Sequence, residues 1–178
     1  MRTLLSIILI GISGVASAQD ETLDRHQASR DFFEHFAFME GNWQLENFIM
    51  QGPTDSVTLE FSVTVERVFD GMGHQSHWIQ NDTGDWIGDI INTYDVDTNL
   101  FSVRFFDARA NRWIESAQEM TLTETGFEAS FSGEDQYGPF DSRTRMERVS
   151  DDHYRQTIER RYPGTDWFIT DSVEARRD

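Results

Sequence analysis

The side chains able to do chemistry in this chain are carboxylates, arginines and 5 histidines, with neither cysteine nor lysine beside them. Thiol catalysis and lysine Schiff bases are thereby excluded. No Ser-His-Asp order, glycine-rich phosphate loop or nucleophile elbow occurs. Among the histidines, His26 and His35 fall in the N-terminal segment and its helix. His74 and His77 have opposite parity on one predicted strand, so they point to opposite faces and make no two-histidine metal site without a bulge. Asp95, Asp97 and Asn99 repeat the alternating oxygens of a calcium loop, but Leu100 and Phe106 stand where its glycine and bidentate glutamate belong. That stretch is expected to be a turn, and no metal or cofactor is expected anywhere.

Asp171 is the carboxylate with the most to offer. It shares parity with Trp167, Ile169 and Val173, and a carboxylate on an inward apolar face has its pKa raised. The strand predicted over 152–162 offers Tyr154, Gln156 and Arg160 on one face, and that over 139–149 offers Ser142 and Thr144 beside Phe140 and Met146. Two readings of this group stay open. Asp171 acts as an acid or base with Tyr154 or Arg160 as electrophilic partner, or it forms a buried ion pair with Arg160 that fixes register. Alternation also turns Phe61, Phe101, Phe105, Phe127 and Phe131 inward with Phe140 and Met146, a lining suited to an apolar guest with polar anchors. The same side chains could instead fill a packed core.

The elements that hold these residues follow from spacing. Phe32, Phe33, Phe36 and Met39 recur at helical intervals behind Ser29-Arg30-Asp31, which predicts a short capped helix. After Trp43 the period becomes two, most cleanly where Val57, Leu59, Phe61, Val63 and Val65 alternate with polar residues. Burying each of these is worth roughly 1.5–3 kcal/mol, and a slip by one residue would bury Glu60 and Glu66 instead. Turn signals recur at hairpin spacing, among them Asp70-Gly71, Asp82-Thr83-Gly84, Glu124-Thr125-Gly126 and Tyr162-Pro163-Gly164. They divide the chain into about ten strands with no room for a crossover helix. An all-β, antiparallel, up-and-down barrel hides all those edges, with the N-terminal helix closing one end.

The address is carried by residues 1–18: Arg2, the apolar run from Leu4 to Ile10, and the small-residue site Ala16-Ser17-Ala18. This pattern predicts a signal peptide and a periplasmic or secreted product with no stable membrane anchor. A flexible segment is expected over 19–30 and a single barrel domain over 31–178. Asn81-Asp82-Thr83 is a sequon that matters only in a eukaryotic secretory route. The formal net charge of −17 argues against nucleic acid and anionic lipid as partners.

Phe38-Met39-Glu40-Gly41-Asn42-Trp43 resembles the opening of the calycin superfamily, and of its exported bacterial lipocalin-like domains of unknown function. Val68-Phe69-Asp70-Gly71, Asn92-Thr93-Tyr94-Asp95, Thr165-Asp166-Trp167 and Glu174-Ala175-Arg176-Arg177 resemble later markers in the same order. The resemblance implies a barrel in which Gly41 and Trp43 are structural, with Trp43 packed under a late arginine, Arg176 or Arg177. Some ten-stranded relatives hold haem through an interior histidine, for which His153 is the nearest counterpart. Tyr154, Gln156 and Ile158 have the better inward parity, so His153 is expected outside and haem is not expected. The leading functional expectation is a carrier of a small apolar or amphipathic molecule. The alternatives are an enzyme using the same interior, and a protein-interaction module presenting Trp78, Trp86 and Phe106 as outer anchors.

Overall fold

In a computed structural model that describes residues 13–52 and 54–178, with side chains from residue 24, the chain forms one closed antiparallel barrel. Helix α1 (Ser13–His35) and a short turn of helix (Ala37–Met39) precede ten strands. These are β1 (Gly41–Met50), β2 (Ser56–Val68), β3 (Gly73–Gln80), β4 (Trp86–Asp95), β5 (Leu100–Asp107), β6 (Arg112–Leu122), β7 (Gly126–Asp135), β8 (Gly138–Ser150), β9 (His153–Arg161) and β10 (Phe168–Arg177). Each strand pairs with its sequence neighbour and β1 closes on β10, the up-and-down topology expected from consecutive hairpins. Most of the predicted leader lies outside the described residues. Among the described residues no helix is long and apolar enough to cross a membrane.

Helix α1 differs from expectation in where it starts. It reaches back to Ser13, so the 19–30 segment is helical and Ser29 lies within the helix. Ser29 caps nothing; its hydroxyl donates to the Tyr94 carbonyl at 3.4 Å. From Asp24 to His35 the helix holds neither glycine nor proline, so nothing in its backbone breaks the run. The greasy face does what its spacing predicts. Phe32, Phe33 and Phe36 are buried, with Phe32 stacked on Tyr94 at 3.9 Å between ring centroids and Phe36 edge-on to Phe127 at 5.8 Å.

That docking makes a closed end. Trp43 is 1% exposed, donates its indole N–H to the Met39 carbonyl at 2.7 Å and packs edge-on against Tyr154. Of the two candidate arginines it is Arg177, opposite Trp43 in the β1–β10 register, that lies over the indole, 4.5 Å from its centroid. Arg177 also donates to the Glu40 and Phe38 carbonyls at 2.9 and 2.8 Å. Arg176 pairs with Gln44 in that register and is exposed. Gly41 is required here: with φ of +115°, any Cβ would sit 2.7 Å from the Arg177 Nη1.

Along β2 the odd residues from Val57 to Val65 face inward and the even ones outward, as the alternation requires, and the β2–β3 register then turns His74, Ser76, Trp78 and Gln80 inward. Trp78 is therefore no outer anchor. It packs edge-on against Phe61 inside the barrel, 5.5 Å between centroids.

Candidate functional site

The inward residues behave differently in the two halves of the barrel. Near the helix they are sealed: Leu45, Phe61, Val63, Val65, Ala129, Met146 and Ala175 are each at most 6% exposed. Toward the other end, the mouth, Ile49, Val57, Leu59, Phe131 and Ile158 are only partly buried. Ile114, inward beside Phe105 in the β5–β6 register, is 42% exposed. The wall also parts there. β6 and β7 pair only from Leu122↔Phe127 to Glu119↔Ser130, leaving Arg112–Gln118 of β6 and Phe131–Asp135 of β7 without partners across the seam.

Polar groups collect on the inner wall of this mouth half. Asp171 sits between Ile49 of β1 and Ile158 of β9 in the strand registers. Desolvation pushes its carboxyl up to about 6, against which the hydrogen bond to the Asn47 side chain acts. Asn47 is 8% exposed and its Oδ1 has no hydrogen-bond partner. Sequence reasoning missed this residue, although its parity with Trp43 and Leu45 places it on the inner face.

Asp171 faces inward with Val173, as alternation predicts, but alternation fails for the residues before it. The β9–β10 register shifts between Ile169 and Asp171, with Thr170 as the additional residue. A bulge of this kind flips the facing of what precedes it. Ile169 is accordingly 46% exposed. Trp167, expected to share the face of Asp171, lies instead between Arg143 and Arg161, whose guanidinium carbons are 4.4 and 4.8 Å from the ring centroid.

The expected ion pair between Asp171 and Arg160 is absent. Arg160 pairs with Asp135, Nη1 to Oδ2 at 3.2 Å, and lies over the Phe140 ring at 4.4 Å, with its Nε unpartnered. Tyr162 donates to the same Asp135 oxygen at 2.7 Å, and this bond above all holds the Asp135 carboxyl below its usual range. Tyr154 is remote from both. It stands opposite Ala175 in the closed end, roughly 13 Å along β9 from the level of Asp171 at about 3.3 Å per residue. Burial alone raises its hydroxyl pKa, which makes it a poor proton donor or acceptor. The structure thus sets Tyr154 apart in the closed end and engages Arg160 with Asp135 rather than Asp171.

The remaining candidates fall on the inner face at different depths. Phe101, Phe127 and Met146 belong to the packed closed end, where Phe101 contacts Phe32 and Phe127. Ser142 and Thr144 are buried between Phe140 and Met146, with the Ser142 hydroxyl donating to the Glu159 carbonyl at 3.2 Å. Gln156 lies opposite Val173 and Met146. Phe105 and Phe131 line the mouth half, and Phe131 meets Phe140 edge-on at 5.8 Å. A cleft of about 410 Å³ runs along the rim past Gly133, Phe140 and Tyr162.

Among the described residues the histidines join no cluster of three or more metal-ligating side chains. His74 points into the closed end, 3% exposed and edge-on to Phe33. Its Nε2 is 3.6 Å from Glu40, too long for a hydrogen bond, and burial lowers its pKa. His77 points outward, with Nδ1 2.7 Å from Asp89. His153 contacts Glu174 at 2.6 Å, away from the inward Tyr154. The Asp95 loop is a turn closed by the Asp97 amide donating to Asp95 Oδ1 at 2.9 Å. Outside the barrel, His77, Trp86, Phe106 and Trp113 form a row across β3 to β6, with centroids 5.2 to 5.9 Å apart.

No protein-family model matches the chain, and no curated protein matches it in sequence. The architecture is compatible with a calycin barrel, and it could hold a ligand.

Proposed function

We propose that this chain is an exported, calycin-like binding protein that takes a small amphipathic molecule into the mouth half of its barrel. The observation that carries the reading is the contrast along the inner wall. Hydrophobic side chains are buried on folding because burial is favourable, so an inward isoleucine left 42% exposed where β6 parts from β7 supports an opening into the barrel. The inner wall of the mouth half offers apolar residues and two polar atoms without partners of their own, Asn47 Oδ1 and Arg160 Nε, which supports a small-molecule site. Export is proposed from the leader pattern of residues 1–18.

The test is native mass spectrometry of protein purified gently from its source, followed by displacement of a lipophilic dye. A retained small-molecule mass, or saturable dye binding weakened by added bulk such as Ser116→Trp, two residues from Ile114 on the same face of β6, is the expected result. A bare mass together with no saturable dye binding would overturn the reading. A second reading, a surface that meets a protein partner, is favoured by the outer aromatic row, in which Trp86 is 43% and Trp113 is 53% exposed.

A further inference from the structure

Among the described residues Asp171 is an inward carboxylate that stands between two isoleucines with no cation beside it. Its neighbours across the wall are Ile49 and Ile158, and Val173 follows on the same face. Among the described residues its carboxyl has a single polar partner, the Asn47 side chain, and no cation acts on it. Other acids and bases are handled differently: Arg160 has Asp135 at 3.2 Å, and Arg67 has Glu34 at 2.7 Å. Even a half-buried carboxylate with no counter-charge costs stability, and a valine or leucine between two isoleucines would pack better. Asn47 sharpens the point. An amide donates only through its NH2 group, so the bond to Asp171 uses Nδ2 and leaves Oδ1 as the acceptor without a partner, on a side chain that is 8% exposed. Two acceptors, one of them anionic, therefore stand together on the inner wall, with the Asn47 Nδ2 as the one donor set against the carboxylate and none against Oδ1.

We propose that Asp171 and Asn47 form a head-group site for a protonated amine, whose hydrocarbon portion lies along the apolar inner wall. This rests on the ligand-binding role proposed above and names its ligand class. A primary ammonium brings three donors and no acceptor, which satisfies the carboxylate and the Asn47 Oδ1 at once. Leu59, opposite Asn47 in the β1–β2 register, together with Ile49, Ile158 and Val173 gives the first methylenes an apolar bed. A carboxylate head would meet two acceptors and a like charge. The net charge of −17 acts in the same direction, concentrating cations near the mouth and repelling anions. Burial holds the Asp171 carboxyl at about 6, so it is mostly ionised at neutral pH and ready for a cation.

Isothermal titration of the purified protein with decylamine, decanol and decanoate, each below its micelle concentration at neutral pH, tests this. Decylamine is expected to bind at least about tenfold more tightly than decanoate, with decanol between them. Asp171→Asn, which keeps size and shape, should bring the amine down to the affinity of decanol and leave decanol unchanged. Asn47→Ala should weaken the amine several-fold, and it serves as the second variant if the first does not fold, as judged by circular dichroism. Equal binding of all three probes overturns the head-group assignment and leaves the binding role standing. An amine preference that survives Asp171→Asn also overturns it, because the preference then belongs to the acidic surface. Absence of binding by all three to folded protein overturns the binding role itself.

Discussion

The two ends of this barrel are built from the same strands by the same alternation, yet they use their inward positions differently. At the helix end most inward residues are aromatic or aliphatic and sealed, with His74 and Ser76 as buried exceptions, and Arg67 beneath the helix is paired with Glu34 and Glu40. At the mouth the inward positions carry Asp171, Asn47 and a half-exposed Ile114, and β6 separates from β7. One end supplies stability. The other gives some of it up, as sites that must remain available generally do.

The largest test of that division is Trp43→Ala. The indole is 1% exposed, holds the Met39 carbonyl and lies under Arg177, so its loss empties the closed end and removes a cation–π contact. The expected cost is about 3–5 kcal/mol in urea or guanidinium unfolding. A loss below about 1 kcal/mol would mean that the closed end is not where the stability resides.

Much of the barrel was legible in the sequence, though not the division between its ends, and the misses have local causes. Ten strands, their turns and the inward set of β2 follow from period and punctuation, because each local signal there agrees with the closed sheet. Parity failed where a bulge intervenes: counting back from Asp171 across Thr170 put Trp167 and Ile169 on the wrong face. It was silent on β3, where His74, Ser76, Trp78 and Gln80 give no apolar alternation and only pairing with β2 shows which side is inside. Arg176 and Arg177 are indistinguishable by type, and the register with Trp43 decides between them. The ion pair expected for Asp171 failed because Arg160 had a nearer acid in Asp135, which no one-dimensional reading reveals.

The second test uses pH. Asp171 is raised from 3.8 to about 6, so between about pH 4 and pH 6 the native state holds a proton that the unfolded state releases. Stability from this group therefore falls as pH rises through that window, and the cost is complete above about pH 6, on the order of 2–3 kcal/mol. His74 acts oppositely. Burial lowers its pKa, so the unfolded state takes the proton first and stability falls as pH drops below about 6.5. Comparing wild type with Asp171→Asn cancels the His74 contribution. The variant should gain about 2–3 kcal/mol relative to wild type between pH 4 and pH 6 and nothing further above that. A difference that does not change with pH would place the Asp171 carboxyl in water and dissolve the contrast between the two ends.

The smallest effect is the most direct comparison, because it sets two inward aliphatic side chains against each other. Leu45 is 3% exposed in the closed end and Ile114 is 42% exposed at the mouth. Truncating a sealed leucine to alanine costs about 2–5 kcal/mol through lost transfer energy and the cavity left behind. Ile114 is 42% exposed and its strand has no partner on the β7 side at that level, so Ile114→Ala should cost less than about 1 kcal/mol. Bound amphipath should change the ranking: if the hydrocarbon lies against Ile114, the same substitution weakens decylamine binding several-fold while barely moving the unfolding midpoint of the free protein. Equal costs for Leu45→Ala and Ile114→Ala in the free protein would show that the mouth is packed as tightly as the closed end, and the space assigned to a ligand would then belong to the core.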